Sequence, residues 1–237
     1  IIPFLQLGTR VMGIVEFYEN YLEKIPVAHV DQSWLARLDL RFRDPLSLKL
    51  KRMLDILIAF LGLIFTFPIV CFALLLTALE SGFPMFFSQN RTGFLGQPYI
   101  LFKIRTMRVN AEEKNAKWAE ENDNRVTVVG SFLRKWRIDE IPQFWNVIKG
   151  EMSIVGPRPE RPEFQEQLIK KVPHWNCRHL VKPGLTGWAQ IKFRYASDME
   201  SSEEKLAYDL YYIKHASILM DIQIILSTLR SLAKGSR

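Results

Sequence analysis

The feature that most constrains this chain is an uncharged apolar run of 24 residues at positions 56–79. At the helical rise the run would extend roughly 36 Å, about the thickness of a bilayer core. Asp44 precedes it as a suitable N-cap residue, and Pro45 suits the first helical position. The sequence therefore predicts a long helix that begins near residue 44 and enters a membrane.

The flanks of this run leave its topology open. Lys and Arg prefer the cytoplasmic side of a membrane, and both flanks are basic. Residues 34–52 carry six Lys or Arg against two Asp, and residues 80–108 carry four against one Glu. Pro68 in the middle removes a helical hydrogen bond, which predicts a bend. A re-entrant hairpin with both flanks in the cytoplasm and a kinked spanning helix both fit these residues.

Composition excludes a disordered tail and a disulfide-stabilised framework. Of 237 residues, 48% are hydrophobic, which is ample for a core, and the formal net charge is +7. The two cysteines, Cys71 and Cys177, indicate a reducing compartment and favour the cytosolic side. Because the first residue is Ile1 and not Met, we expect a part of a longer protein.

The other segments predict a domain of short strands and amphipathic helices. Residues 81–107 combine aromatic patches with Gly and Pro, which is typical of short strands and turns. Residues 186–194 have a strand-like composition, and residues 110–123 favour a polar, solvated helix. Amphipathic helices are predicted at 203–215 and 218–233, and the apolar stripe of the second fits either a membrane interface or the protein's own core.

An adjacent acidic pair, Asp139 and Glu140, is the strongest local signal for chemistry. Pro142 is a plausible first helical residue, which places both acids at a helix N-terminus where the dipole and free N–H groups favour phosphate. A carboxylate in that place can bind a divalent cation or attack phosphorus. Helix capping together with an ion pair to Arg137 explains the same pair without any chemistry.

A second signal is Arg158, which lies between Pro157 and Pro159. Each proline fixes its own backbone, and the residue before a proline is held extended, so the arginine side chain is presented rigidly. That arrangement suits bidentate phosphate binding, although a simple proline-bounded turn has the same residues.

Four segments then point to one family when they are taken together. They are FSQNRTGFLGQPYILFKIRTM (residues 87–107), LRKWRIDEIPQFWNVIKGEMSIVGPRPE (133–160), VKPGLTGWAQI (181–191) and YDLYYIKHASILMDIQII (208–225). In this order and spacing they resemble the bacterial sugar transferases, the monotopic polyprenyl-phosphate phosphoglycosyl transferases. The resemblance covers roughly residues 48–234 and implies the catalytic part of a longer family member.

The resemblance implies an α/β, mostly helical fold in three parts. These are a remnant of an N-terminal region at residues 1–43, a re-entrant helix-break-helix hairpin at 44–80 with its break at Pro68, and a cytoplasmic catalytic domain at 81–237 with amphipathic interfacial helices. It thus favours the hairpin over the spanning helix. Relatives often carry a serine before the mid-helix proline, where this chain has Phe67, so Thr66 is the candidate to satisfy the freed carbonyl.

The implied reaction moves a sugar 1-phosphate from a UDP-sugar to undecaprenyl phosphate and releases UMP. It would pass through a covalent aspartyl-phosphosugar intermediate, as the first membrane step of exopolysaccharide, capsule or O-antigen synthesis. The implied location is the cytoplasmic face of the bacterial inner membrane, and longer relatives suggest a homodimer. The sequence does not identify the sugar.

The resemblance also assigns residues to roles. Asp139 would be the nucleophile and would contact Mg²⁺, with Glu140 as its supporting partner. The candidates for binding substrate phosphates are Lys103, Arg105, Arg134 and Arg158. Asp209 is grouped with these substrate-binding residues, where it would support the metal or basic groups. Gln143 and the turn at residues 187–190 match the family in a structural or substrate-shaping role, and Trp188 is expected in the core.

Two other readings compete with this one. A basic, membrane-anchored module could bind anionic lipid or a phosphorylated ligand without catalysis. Nucleic acid is not expected as a partner, because the basic residues surround an acidic pair that would repel its backbone. The group His174, Cys177 and His179 could suggest zinc, but this spacing has no fourth ligand nearby and is more often coincidence.

Overall fold

One long helix and a mostly helical domain make up the computed structural model, which describes residues 11–36, 38, 44–109, 123–193 and 199–234. The helices in this part are α1 (Ile14–Phe17), α2 (Gln32–Ala36), α3 (Pro45–Ser81), α4 (Val128–Lys135), α5 (Gln143–Lys149), α6 (Pro162–Lys171), α7 (Trp188–Lys192), α8 (Met199–His215) and α9 (Ile218–Ala233). The strands are β1 (Phe86–Thr92), β2 (Pro98–Ile104), β3 (Ser153–Val155) and β4 (Gly184–Thr186). The mostly helical fold class is confirmed.

Helix α3 has the N-terminus that the sequence predicts. The Asp44 carboxylate accepts a hydrogen bond from the Ser47 N–H at 2.9 Å, and Pro45 occupies the first turn. The helix contains 37 residues, or about 55 Å, and is long and apolar enough to cross a membrane. It continues without interruption through Pro68, so the helix-break-helix hairpin stays a prediction.

The hydroxyl of Thr66 does not take the role expected of it. In a regular helix Pro68 leaves the carbonyl of Ile64 without a donor. Thr66 Oγ1 instead donates to the carbonyl of Gly62 at 2.6 Å, because a helical threonine reaches the carbonyl four residues earlier. The expectation that Thr66 satisfies the freed carbonyl is therefore wrong.

Both ends of α3 are bound to the same domain. Near the N-terminal end, Arg52 donates to the carbonyls of Val147 and Ile148 at 2.6 and 2.7 Å. Near the C-terminal end, the Glu80 carboxylate accepts hydrogen bonds from the Val128 and Val129 N–H groups at 2.9 and 3.1 Å, which caps helix α4. Between these ends, four phenylalanines are more than half exposed, namely Phe60, Phe65, Phe67 and Phe72.

Short strands frame the domain as expected. Strands β1 and β2 pair antiparallel, with Phe86 opposite Ile104, while β3 and β4 pair in parallel. The largest buried cluster includes Val147 of α5, Ile154 of β3 and Ile213 of α8, and Ala59 of the long helix packs into it. Each such side chain contributes about 1.5–3 kcal/mol when fully buried, so this cluster also fixes α3 against the domain.

The strand expected at residues 186–194 is wrong for residues 187–193, and residue 194 lies outside the described residues. Strand β4 ends at Thr186, and helix α7 begins at Trp188. A Cβ on the intervening Gly187 would lie 2.2 Å from the Gly156 carbonyl oxygen, so this close approach requires glycine. Trp188 is 2% exposed and donates to the Glu23 carbonyl at 3.0 Å, which confirms its place in the core. Tertiary packing has overridden a local strand preference.

The two C-terminal helices agree with their predicted positions. Helix α9 has the predicted bounds, and α8 begins four residues earlier than predicted. Within α9, Met220 and Ile224 are buried, whereas the apolar side chains of the opposite face are exposed, namely Leu219, Ile222, Leu226 and Leu229. Nearly all of the polar helix predicted at 110–123 lies outside the described residues.

Candidate active site

The acidic pair lies in a short 3-10 turn, Ile138–Glu140, immediately before helix α5. Pro142 stands one residue before α5 and not at its first position, so the predicted placement is nearly right. Arg137 starts the turn in the left-handed conformation, with φ 53°, and its carbonyl accepts from the Glu140 N–H at 3.2 Å. Asp139 and Glu140 are both 7% exposed.

Three cations surround the Glu140 carboxylate. Oε1 accepts hydrogen bonds from Lys103 of strand β2 at 3.0 Å and from Arg158 at 2.7 Å. Oε2 accepts from Arg137 at 3.2 Å. Burial acts to raise the pKa of Glu140, but the charges of Arg158, Lys103 and Arg137 outweigh it and hold that pKa well below its usual range. Glu140 is therefore a permanent anion that gathers the cations.

Asp139 has a different environment although it is the next residue. No residue in the described part of the chain donates a hydrogen bond to its carboxylate. Burial and the neighbouring charge of Glu140 raise the pKa of Asp139 to about 6, against the opposing charges of Lys103, Arg134 and Arg158. At neutral pH Asp139 is thus mostly ionised, close to several cations and free to react.

The dyad thus combines one carboxylate bound by cations with one that accepts no hydrogen bond from the described residues, and the comparisons with known proteins give the family of the chain. The family model described as bacterial sugar transferase matches residues 46–235. The chain belongs to the bacterial sugar transferase family. The family resemblance that the sequence motifs indicated is thereby confirmed, and the matched residues include the dyad, Lys103 and Arg158.

Curated relatives of this sugar transferase act on different sugars by name. The chain is 37% identical over 225 residues to the UDP-N-acetylgalactosamine-undecaprenyl-phosphate N-acetylgalactosaminephosphotransferase of Aeromonas hydrophila, covering 95% of this chain and 52% of the relative. It is 44% identical over 181 residues to the UDP-glucose:undecaprenyl-phosphate glucose-1-phosphate transferase of Escherichia coli K12, covering 76% and 39%. A protein of the same printed name from Caulobacter vibrioides is 38% identical over 184 residues, covering 77% and 69%. The chain therefore spans about half or less of the length of the first two relatives.

The predicted phosphate-binding residues of this sugar transferase divide into two groups. Lys103 and Arg158 meet at Glu140, and the charge of Arg134 acts on Asp139. Arg134 Nε also donates to Thr106 Oγ1 at 2.8 Å. These three cations, from separate parts of the chain, are brought together at the dyad.

Arg105 and Asp209 are placed elsewhere. Arg105 is 7% exposed, and its Nη2 donates to the carbonyls of Ser81 and Gly82 at 2.8 and 2.6 Å, at the end of helix α3. Asp209 is 1% exposed and accepts from Arg178 at 2.8 Å. Neither side chain forms a hydrogen bond with the dyad, so the predicted phosphate contact of Arg105 and the predicted role of Asp209 in the substrate site stay predictions.

Sequence reasoning missed a buried ionic cluster beside the site. It consists of Glu160, Arg178, Lys205 and Asp209, each at most 9% exposed. The four-residue spacing of Lys205 and Asp209 could have predicted part of this cluster, because residues four apart lie on the same face of a helix. Arg178 had no comparable signal, since its partners lie on other elements. His174, Cys177 and His179 are not gathered into a metal-binding group within the described residues.

Proposed function

We propose that this chain transfers a sugar 1-phosphate from a UDP-sugar to undecaprenyl phosphate and releases UMP. The relatives' names describe such transfers, and the family match covers the residues that would carry them out. The observation that carries the proposal is the contrast within the dyad: Glu140 is bound by three cations, and Asp139 is buried beside them without a hydrogen bond from the described residues.

In the first half-reaction, Asp139 attacks the phosphorus that bears the sugar. A bond forms between a carboxylate oxygen and this phosphorus, and the phosphoanhydride bond breaks, so that UMP leaves with the bridging oxygen. Lys103, Arg134 and Arg158 lie where they can stabilise the negative charge that develops on the phosphoryl oxygens. Glu140 holds Lys103 and Arg158 in these positions.

In the second half-reaction, the lipid phosphate attacks the same phosphorus. A phosphate oxygen of undecaprenyl phosphate forms the new phosphoanhydride bond, and the acyl phosphate bond to Asp139 breaks. The carboxylate is regenerated, and the lipid-linked diphosphosugar is released into the membrane. Neither half-reaction requires a side-chain proton, because UMP and Asp139 both leave as anions. The covalent route thus uses one nucleophile and the same cations twice.

The residues present fit a magnesium ion that is bound mainly by substrate. Mg²⁺ typically takes one or two carboxylates together with phosphates and waters. Asp139 offers carboxylate oxygens without hydrogen bonds from the described residues, whereas the oxygens of Glu140 are taken up by cations. Asp139 would therefore hold the ion. When bound, Mg²⁺ neutralises diphosphate charge and so favours the departure of UMP.

We also propose that α3 enters one leaflet and returns, with the domain on the cytoplasmic face. Arg52 and Glu80, near opposite ends of α3, bind the same small domain. A straight spanning helix would carry these ends to opposite sides of the bilayer. The exposed phenylalanines between them would lie in the hydrocarbon, and the exposed apolar face of α9 would lie at the interface.

The intact-protein mass tests the covalent step. The detergent-solubilised protein is mixed with Mg²⁺ and either UDP-glucose or UDP-N-acetylgalactosamine, without lipid acceptor. We expect a mass increase of one phosphosugar with the preferred donor, its loss when undecaprenyl phosphate is added, and its slow formation in EDTA. Asp139→Asn is the matched variant, because it keeps the shape of the side chain and should form no adduct.

Two results would contradict the proposal. An adduct that persists in Asp139→Asn would remove Asp139 as the nucleophile. The absence of UMP with all common UDP-sugars plus undecaprenyl phosphate would favour the non-catalytic binding module. Comparison of donors in the UMP assay would also identify the sugar.

A further inference from the structure

The backbone around Arg158 is held at three successive carbonyls, by two arginine side chains and one backbone N–H. Arg178 Nη2 donates to the Arg158 carbonyl at 2.9 Å, and Arg91 Nη1 donates to the Pro159 carbonyl at 3.2 Å. The Thr92 N–H donates to the Glu160 carbonyl at 3.1 Å. The segment that presents Arg158 to the dyad is thus fixed from behind.

Arg178 is the most deeply buried of the side chains that hold this segment. Its side chain is 2% exposed, and the Nη2 that binds the Arg158 carbonyl also binds Asp209 Oδ2 at 2.8 Å. Its guanidinium lies over the Trp175 ring, 4.4 Å from the centroid, and Nη1 is 3.7 Å from Glu160 Oε1. Lys205 forms an ion pair with the same Glu160 oxygen. Arg178 is therefore held through Nη2 and the Trp175 ring, whereas its Nε and Nη1 have no hydrogen-bond partner among the described residues.

A contribution to stability does not by itself explain the buried ionic cluster of Glu160, Arg178, Lys205 and Asp209. Removing several charges from water carries a desolvation cost that their mutual attraction often fails to exceed, and apolar replacements of buried ion pairs are frequently neutral or stabilising. The charges of Lys205 and Arg178 hold the pKa of Glu160 at about 2 although burial acts to raise it, so this carboxylate stays charged at any working pH. A costly buried cluster directly behind Arg158, with Glu160 always charged, therefore suggests a role in positioning that arginine.

We propose that Arg178, oriented by Asp209, is a positioning residue that fixes the backbone of Arg158 and so aims its guanidinium at the dyad and the transferring phosphoryl group. This inference rests on the proposed function. It places Asp209 two steps from the chemistry, through Arg178 and Arg158, and not in contact with substrate. A displacement of about 1 Å at a catalytic group can lower a rate by about 100-fold, so the support has a measurable effect.

The test separates positioning from folding. Arg178→Met leaves Asp209 buried with less compensation and should lower the melting temperature and the rate together. Arg178→Met/Asp209→Asn removes both charges, so its melting temperature should recover most of the loss. Its kcat for UMP release, per folded protein, should stay about 10- to 100-fold below that of the wild type, with a smaller change in KM.

Two further variants keep the test decisive. Tyr212→Phe removes a buried hydrogen bond to Asp221 in the same domain without touching Arg178 or residues 158–160, and should change the melting temperature but not kcat. Arg178→Lys keeps the charge beside Asp209 but is shorter and lacks the forked guanidinium. We expect it to fold and to lose about 10-fold in kcat, which covers the case in which the methionine variants fail to fold.

The outcomes are distinct for the two proposals. If Arg178→Lys, or the folded double variant, keeps kcat within twofold of the wild type, the positioning role is wrong. A wild-type protein that releases no UMP with any donor overturns the proposed function and this inference with it. An active wild type with undiminished variants overturns this inference alone.

Discussion

At the scale of single residues, the neighbouring carboxylates of Asp139 and Glu140 have opposite environments. The Glu140 carboxylate forms ion pairs with Lys103, Arg137 and Arg158 and so stabilises the structure. Asp139, the proposed nucleophile, lies in a buried place that raises its pKa to about 6, mainly through burial and then through Glu140. The ionised Asp139 therefore costs folding stability at neutral pH, as expected of a site organised for reaction.

The first prediction follows from that cost. The folded-state pKa of Asp139 lies above its ordinary value of 3.8, so the folded state binds the proton more tightly. The stability gained from the neutral form is complete below pH 3.8 and is lost as pH rises through about 6. Asp139→Asn mimics the neutral form. It should abolish UMP release yet raise the unfolding free energy by about 1–3 kcal/mol at pH 7, with a smaller gain at pH 5.

Thermal and denaturant unfolding in Mg²⁺-free buffer at the two pH values measures this difference. A variant that is equally destabilised at both would mean that Asp139 is bound by partners in the folded state. If Asp139 is the nucleophile, the same preparation of Asp139→Asn must show both the gain in stability and the loss of activity.

The second prediction concerns Glu140→Gln, the matched change at the next position. Because it leaves three cations around a neutral amide, we expect a loss of about 3–5 kcal/mol in unfolding free energy. The rate of adduct formation should fall as well, since Lys103 and Arg158 lose their common anchor. Denaturant unfolding and the intact-mass assay check the two effects. A Glu140→Gln protein as stable as the wild type would show that the three ion pairs are weak.

At the scale of elements, periodicity and caps predicted more than composition did. The Asp44–Pro45 start of α3, the strands within residues 81–107 and the bounds of α9 all follow from local signals, and the structure confirms them. Helix α7 was missed because its start depends on the contact between Gly187 and Gly156, which are 31 residues apart. Arg137 is a local partner of Glu140, three residues away, but the other two partners come from β2 and the Pro-Arg-Pro segment, which no spacing rule connects to the dyad.

The third prediction concerns the junction between α3 and β2. Arg105 follows β2 and binds the last carbonyls of α3 through Nη2, so Arg105→Lys replaces a forked donor by a single ammonium. We expect a stability loss of about 1–3 kcal/mol, because the shorter lysine side chain holds its ammonium further from the buried carbonyls that Nη2 binds. The KM for the UDP-sugar should change by less than twofold. If KM rises instead while the melting temperature is unchanged, Arg105 binds substrate phosphate as the family resemblance implies.

At the scale of the whole molecule, the segment before α3 packs against the domain that follows α3. The Ile25 N–H donates to the Ala207 carbonyl at 3.0 Å, and Ile25, Val27 and Val30 pack with Leu206 and Leu210 of α8. The chain thus contacts the domain before and after α3. A boundary drawn at residue 43 follows composition, which changes sharply at the apolar run, but it divides one packed cluster.

The fourth prediction tests this arrangement in the membrane. Lys49 and Ser88 are exposed residues on opposite sides of the apolar run. Each is replaced singly by cysteine, in a background where Cys71 and Cys177 are alanine. In spheroplasts, a membrane-impermeant maleimide should label neither cysteine, and after permeabilisation of the inner membrane it should label both. A spanning helix would place the two sites on opposite faces of the membrane. Labelling of one cysteine in intact spheroplasts would therefore support a spanning helix. The domain contacts at both ends of α3 could then not coexist in the bilayer.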